Sequence, residues 1–458
     1  MWRPRSCRNS ACRTTASPKS GATSGEPTSS LTTNWNMPKL SLNASKKTKH
    51  TPAGEIPVDW AVAKIGELCA LTNGTGFGPK DWKSSGWPII RIQNLNGASD
   101  FNYFDGTPKE SWIVEPGDLL FAWAGTRGAS FGPTIWNGPR GVLNQHIFKI
   151  TPKKTASKQW LYLSLRILTD NIEKKAHGFK STLLHVGKND IIGQYVPLPP
   201  PPEQRRIADI LSSWDRAIET LESLIAAKER RKQALMQQLL TGRKRLPRFD
   251  QSKGKTKKDH FETYPADWEH LRLGQIVSET GKRNSLKGNL PVLSCTKHQG
   301  LVLSEEYFGR RVHAEDTSNY RVVRRGEFAY ATNHIEEGSI GYQDLCDAGL
   351  VSPIYTVFQP HKTVTPEYLF RVLKSPLFLH HYQANTSASV DRRGSLRFKE
   401  FAQLPIWLPT IKEQQAIAAV LDSADRELTL HRQHLDRLRT QKRGLMGKLL
   451  TGEVRVKP

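Results

Sequence analysis

The sequence predicts an α+β chain: two mixed α/β bodies separated by two long helices that pair with each other. Three observations predict it. Residues 203 to 242 recur without a gap at 413 to 452, the apolar residues inside each copy repeat every seven positions, and the stretch before each copy carries short strands with shared landmarks. Glu203, Gln204, Ile207, Ala208, Leu211, Ser213, Asp215 and Arg216 return as Glu413, Gln414, Ile417, Ala418, Leu421, Ser423, Asp425 and Arg426. At the far ends Lys232, Leu235, Met236, Leu239, Leu240, Thr241 and Gly242 return as Lys442, Leu445, Met446, Leu449, Leu450, Thr451 and Gly452. So many identities in one register mark an internal duplication.

In the first copy the apolar positions alternate spacings of four and three: Ile207, Leu211, Trp214, Ile218, Leu221 and Ile225, then Leu235 and Leu239. The second copy gives Ile417, Leu421, Ala424 and Leu428, then Leu435, Leu438, Leu445 and Leu449. Such a repeat makes a narrow seam that is buried only against another helix, and the other copy is the obvious partner. Lys228 and Lys232 interrupt the first seam, His431 and Lys442 the second, as register-fixing polar positions do. His431 is read as a partly exposed seam residue, not a ligand. Pro201 and Pro202 suit a first turn, Thr410 with Glu413 predicts a capping box, and Gly242 and Gly452 predict left-handed helix stops. Helices of this length span about 60 Å and read as spacers.

A length of 458 residues suggests two or three domains, and 37% hydrophobic content supports proper cores. Lys plus Arg outnumber Asp plus Glu by 67 to 43, a formal charge of +24, which implies a polyanionic partner. No run of 18 apolar residues exists and mean hydropathy is −0.53, which favours nucleic acid over membrane. Cys7, Cys12, Cys69, Cys295 and Cys346 are odd in number and scattered, giving neither a disulfide framework nor a zinc spacing; a reducing cytoplasm fits. Residues 1–55 are rich in Ser, Thr, Pro and base without periodicity, which predicts a disordered basic tail. They share composition with a transit peptide but show no amphipathic face. A start at Met37, with the upstream residues not native, is the other reading, and the tail is assigned no function.

Residues 56–199 and 264–409 form the two bodies, 200–242 and 410–458 the helices, and the Lys-rich 243–263 a solvated linker. The bodies open alike, at Pro57-Val58-Asp59-Trp60 and Pro265-Ala266-Asp267-Trp268, followed by Ile65-Gly66 and Leu273-Gly274. Apolar or alternating runs such as Trp87 to Ile92, Leu119 to Trp123 and Val142 to Ile150 then predict strands. Mid-body turns match as well, Gly117-Asp118-Leu119 against Gly326-Glu327-Phe328. Helices are expected at Gln159 to Lys175 and Pro366 to His381, then a basic loop, then a Pro-flanked strand entering the long helix.

On the two Glu-Gln helix starts, the two Leu-Leu-Thr-Gly helix ends, Gly117-Asp118-Leu119 and Leu143-Asn144-Gln145, the sequence resembles the specificity subunit of type I restriction-modification systems, over about residues 56 to 458. The resemblance implies that each body is a target recognition domain reading half of a bipartite DNA site. It implies that the helices pair antiparallel, with pseudo-two-fold symmetry, and dock two methyltransferase (modification) subunits. S-adenosylmethionine, ATP and Mg would then sit on those and on a restriction/translocase subunit, and this chain would be non-catalytic with no cofactor of its own. The complex would be a site-specific deoxyribonuclease and adenine-N6 methyltransferase. The second body departs from the pattern, carrying Val351-Ser352-Pro353 where the first has Leu143-Asn144-Gln145.

Bases in double-stranded DNA are read by paired donors and acceptors on Arg, Lys, Asn and Gln. In loop-like settings the first body offers Lys80, Lys83, Arg91, Gln93, Asn94, Arg127, Asn144, Gln145 and Lys180. The second offers Lys282, Arg283, Lys297, His298, Gln299, Asn333, His334, Arg392, Arg393 and Arg397. Each of these residue types also serves as a solvated charge or turn cap, and the lysines suit phosphate better than bases. Two rival classes are a DNA-binding enzyme with a cryptic nuclease site and a coiled-coil scaffold that binds no DNA. Asp81-Trp82-Lys83 and Glu173-Lys174-Lys175 have a nuclease-like acid-x-Lys spacing but no clear second carboxylate. No methyltransferase Asn-Pro-Pro-aromatic or nucleotide-binding glycine-lysine loop is present, and net charge argues against the scaffold.

Overall fold

The computed structural model describes residues 42–44, 47–126, 129–175, 183–250, 254–258, 263–284, 290–386 and 395–456. The central helix runs Pro201–Leu240 and the C-terminal helix Ile411–Thr451. Asp215 pairs with Lys442, Glu222 with Arg439, Glu229 with Arg432 and Lys232 with Asp425, so numbering rises on one helix as it falls on the other. The pair is antiparallel.

The predicted seam divides into three parts. Its middle is helix on helix: Leu221, Ile225, Leu428 and Leu435 are buried together, with Ile218 and Leu438 against them. Its ends are not a bare seam. Ile207, Leu211 and Trp214 join Leu445 and Leu449 inside the core of the first body, and Leu235 and Leu239 join Ile417 and Leu421 inside that of the second. Each core therefore takes side chains from both helices, at about 1.5–3 kcal/mol for each large one buried.

Each body is built on a four-stranded antiparallel sheet of one strand order. In the first, Gly132–Ile135, Leu119–Ala122, Ile147–Pro152 and Cys69–Asn73 lie side by side, with Phe121 opposite Phe148 and Leu71 opposite Ile150. In the second, Ile340–Tyr342, Phe328–Ala331, Tyr355–Pro360 and Val277–Thr280 do the same, with Phe328 opposite Phe358. The Gly-acid turns enter the equivalent strands: Asp118 accepts from the Glu115 amide at 2.8 Å and Glu327 from the Arg324 amide at 2.7 Å. A base ribbon joins Ala61–Lys64 to Tyr195–Leu198, and Glu269–Arg272 to Pro405–Leu408, immediately before each long helix.

The junctions between rod and bodies cross over. After the central helix, Arg245 turns into a pocket formed by Glu413, at the start of the other helix, and Asp267 of the second body, with Nε–Oε1 2.6 Å and Nη1–Oδ1 2.9 Å. After the C-terminal helix, Arg455 meets Glu203 at 2.8 Å and Asp59 at 2.9 Å. Both guanidiniums lie over the adjacent indole, Trp268 at 5.7 Å and Trp60 at 5.3 Å. Gln204 stitches its helix to the Thr155 and Pro199 carbonyls and the Ser157 amide, as Gln414 does to Thr363, Pro409 and Thr365. Gly242 and Gly452 are left-handed (φ 69° and 74°), and a Cβ there would lie 2.3 and 2.5 Å from Pro265 and Pro57. The Glu-Gln, Thr-Gly and Pro-x-Asp-Trp motifs thus meet in one joint, present twice.

Four expectations need correction. The tail is not irregular to residue 55: Leu42–Ala44 pairs with Val454–Val456, and Thr48–Thr51 with Gly54–Pro57, the first partner lying too far along the chain for local pattern to reveal. The linker is not simply solvated, because Arg245 is buried in the joint and Thr256–Lys258 pairs with Thr263–Pro265. The second body's helix breaks into Pro366–Leu373 and Pro376–Asn385, where Ser375 caps the new turn and Pro376 cannot continue the old one. Thr410 makes no side-chain cap, and the Glu413 carboxylate that would complete a capping box pairs instead with Arg245.

Candidate nucleic-acid interface

In the first body the second sheet sets Gly141–Leu143 parallel to Trp87–Ile90; Leu143 and Asn144 are buried, and the chain reaches the surface at Gln145. The Asn144 amide donates to Ile90 (3.0 Å) and Thr75 to Leu143 (2.9 Å), so Arg91, Asn144, Gln145 and the glycine-rich 74–76 form one edge. A Cβ on Gly74 would lie 2.2 Å from the Asn144 carbonyl, so that approach requires glycine. Arg91 stacks over Trp82 at 5.0 Å and donates to Asn102, which holds its fork beside exposed Lys83 and Lys80. Gln145 is exposed, its carbonyl accepting from Trp123, whose ring meets His146 and His185 at 5.2 and 6.0 Å. Trp82, Trp123, His146 and His185 were not among the candidates the sequence offered for this edge; the signal was aromatic residues interleaved with basic loops.

Two candidates in this body are spent on structure. Asn94 is buried, its Oδ1 accepting from the Arg91 amide and its Nδ2 donating to the Ala98 and Asp100 carbonyls, so it shapes the turn that presents Arg91. Asn144 is also buried. Gln93 is exposed on the same turn. Arg127 and Lys180 lie outside the described residues. Asp81 of the nuclease-like tripeptide accepts from the Gly78 amide at 2.9 Å and caps its turn.

The second body places exposed Lys297, His298 and Gln299 on the hairpin between Leu293–Thr296 and Gly300–Leu303. Lys374 clamps that hairpin to the turn at Gly338, donating to the Lys297 carbonyl at 2.8 Å and to Gly338 at 2.7 Å, and burial pushes its ammonium down to about 8. Asn333 and His334 are on the same turn, and the Thr332 carbonyl accepts from Leu396, bringing exposed Arg397 alongside. His334 faces Glu337 at 3.5 Å and lies in a group with Glu336, acids that compete with phosphate for it. Lys282 and Arg283 extend the Val277–Thr280 strand past Gly281, held by Val322 and Arg321. Arg392 and Arg393 lie outside the described residues. The sequence reading also missed Tyr307, Phe308, Arg310 and Arg311, an exposed aromatic and basic run.

Val292 pairs in parallel with Leu350 as Ile89 does with Val142, so Val351-Ser352-Pro353 occupies the place of Leu143-Asn144-Gln145. The apolar anchor stays buried while the polar pair changes. Among the described residues no helix is long and apolar enough to cross a membrane.

A family model described as the type I restriction modification DNA specificity domain matches the chain twice, at residues 57–229 and 265–440. The chain is 26% identical over 424 residues to the type I restriction enzyme MjaVIII specificity subunit of Methanocaldococcus jannaschii, covering 88% of this chain and 94% of that one. It is 23% identical over 422 residues to the Escherichia coli EcoBI specificity subunit, covering 86% of each. A solved chain from work on complex assembly and conformational transition of the type I R-M system superposes with a TM-score of 0.53 at 18% identity, covering 87% of this chain and 99% of that one. Two family matches, each running from one body into the long helix that follows it, account for the duplicated fold and the diverged edges, and the chain belongs to the type I restriction-modification specificity subunits.

Proposed function

We propose that each body reads one half of a bipartite DNA site in the major groove and that the helix pair sets the distance between the halves. The observation that carries this reading is one joint used twice, at opposite ends of an antiparallel rod, to hold two bodies whose presented edges differ. Arg91, Gln145, Lys297, Gln299 and Arg397 are the described side chains best placed to read bases, with Lys80, Lys83, Lys282 and Arg283 on phosphates. Two methyltransferase subunits dock on the helices, and a restriction/translocase subunit completes the complex. S-adenosylmethionine, ATP and Mg belong to those partners. The chain itself performs no chemistry and works in the cytoplasm.

The test shortens the rod. Deleting Ala226 to Lys232 together with Asp436 to Lys442 keeps the seam in phase and removes about 10 Å. At about 3.4 Å per base pair, the gap between half-sites contracts by about three base pairs while both half-sites stay the same. Mapping methylated positions in a host carrying the shortened protein reads this directly. An unchanged gap would mean that something other than the helices sets the spacing.

A further inference from the structure

The pseudo-two-fold axis relates residue n of the central helix to residue n + 210 of the C-terminal helix, and it sorts the ion pairs between them into two kinds. Asp215–Lys442 and Asp425–Lys232 are mates of one another: each copy carries the same acid and the same base. Such pairs would form equally well between two first copies or two second copies. They fix register and say nothing about partner. Glu222–Arg439 (2.6 Å) and Glu229–Arg432 (2.5 Å) are also mates, but here the copies differ: the central helix carries Glu at both places and the C-terminal helix Arg at both.

Pairing like with like would therefore set Glu222 against Glu229 twice, or Arg432 against Arg439 twice. The seam's middle pairs apolar residues of the two copies, Leu221 and Ile225 with Leu428 and Leu435, and it too differs between them, since the mate of Leu221 is His431. Lys228–Glu427 (2.6 Å) adds to the bias, since the mates of these residues are Leu438 and Ala217. Lys228 holds the Glu427 carboxyl below its usual range.

We infer that the flanks of the helix pair are a partner code: the central helix, acidic at positions 222 and 229, accepts only the C-terminal helix, basic at positions 432 and 439, of its own chain or of a second copy, and rejects its own kind. Charges flanking a helix seam set partner choice in this way. Combined with the bipartite reading proposed above, on which this consequence alone rests, the code ensures one of each reader per assembly. The site is then asymmetric, never two copies of one half.

The full chain itself can imitate the forbidden pairings. Arg432→Glu with Arg439→Glu makes both flanks acidic, Glu222→Arg with Glu229→Arg makes both basic, and the quadruple variant exchanges the code. Amide hydrogen exchange across residues 218–230 and 428–438, followed by mass spectrometry at low salt and without DNA, reads opening of the rod. Each double variant is expected to accelerate exchange there about ten-fold, less so at 0.5 M salt, and the quadruple variant to return to the parent rate. Double variants that exchange like the parent, or a quadruple variant as fast as the doubles, would overturn the code. Because DNA is absent, either result leaves the bipartite reading to its own experiment.

Discussion

The two joints and the two presented edges of this molecule have diverged to different degrees. At the joints the same residues do the same work 208 to 210 positions apart: Arg245 with Glu413, Asp267 and Trp268; Arg455 with Glu203, Asp59 and Trp60. At the edges the topology persists and the exposed residue does not, Gln145 giving way to Pro353 at the equivalent place. A buried charged joint tolerates no substitution without leaving a charge unpaired, whereas an exposed edge pays no folding penalty for change. Geometry is held constant in the buried places, and specificity is free to vary in the exposed ones.

The largest expected effect breaks a joint. Glu203 and Glu413 are both about 3% exposed at the side chain, so removing the arginine strands a buried carboxylate. Arg455→Ala and Arg245→Ala should each cost about 3–5 kcal/mol, and by similar amounts if the joints are equivalent. Denaturant unfolding of the two variants checks this. A loss at one end only would show that the likeness is merely geometric.

The edges should behave in the opposite way. Gln145→Ala removes an exposed amide that the core does not use, so unfolding should stay within about 0.5 kcal/mol of the parent. With the modification subunits present, binding to cognate DNA should weaken by about 1–3 kcal/mol, with relaxed preference at one base pair of one half-site only. Selection from a randomised DNA pool reads that difference. Relaxation in both half-sites would dissolve the division of labour between the bodies.

Much of this was legible beforehand, because duplication and seven-residue periodicity are sequence patterns. Gly242 and Gly452 marked the helix stops for the same reason. What the joint does was not legible. Arg245 and Arg455 each stand three residues past a Thr-Gly, and Asp59 and Asp267 each precede a Trp, but only the antiparallel crossing brings the end of one helix to the start of the other. The N-terminal strand at Leu42–Ala44 was hidden likewise, its partner being Val454–Val456. Among the candidate readers, residue type could not tell exposed Gln145 from buried Asn94, since amides that cap turns and amides that read bases share one chemistry.

Lys374 sharpens the comparison from within one body. The described part of the first body has no counterpart to its clamp on the Lys297 hairpin. Burial lowers its folded value to about 8, so between about pH 8 and 10.5 the unfolded chain holds the extra proton and stability from this group rises with pH. From pH 7 to 9 the parent should gain about 1 kcal/mol relative to Lys374→Met, measured by denaturant unfolding at each pH.

The smallest effect compares the outer acids of the two joints. Hydrogen bonds from Arg455 and Arg245 hold the Asp59 and Asp267 carboxyls below their usual range. A depressed folded value means that the contribution is fully present above about pH 4 and is lost as pH falls through the folded value. Solvent screens both pairs, so neither should be worth more than about 1 kcal/mol. The Asp59 side chain is 57% exposed and the Asp267 side chain 30%, and screening should weaken the first more. Unfolding from pH 6 to 2.5 should therefore show a shallower acid decline in both Asp59→Asn and Asp267→Asn, with the larger flattening in the second. An equal flattening would mean that the guanidinium geometry, the same at both ends, outweighs exposure. The reverse order would mean that the shared core of the first body leans on its joint more heavily than the second does.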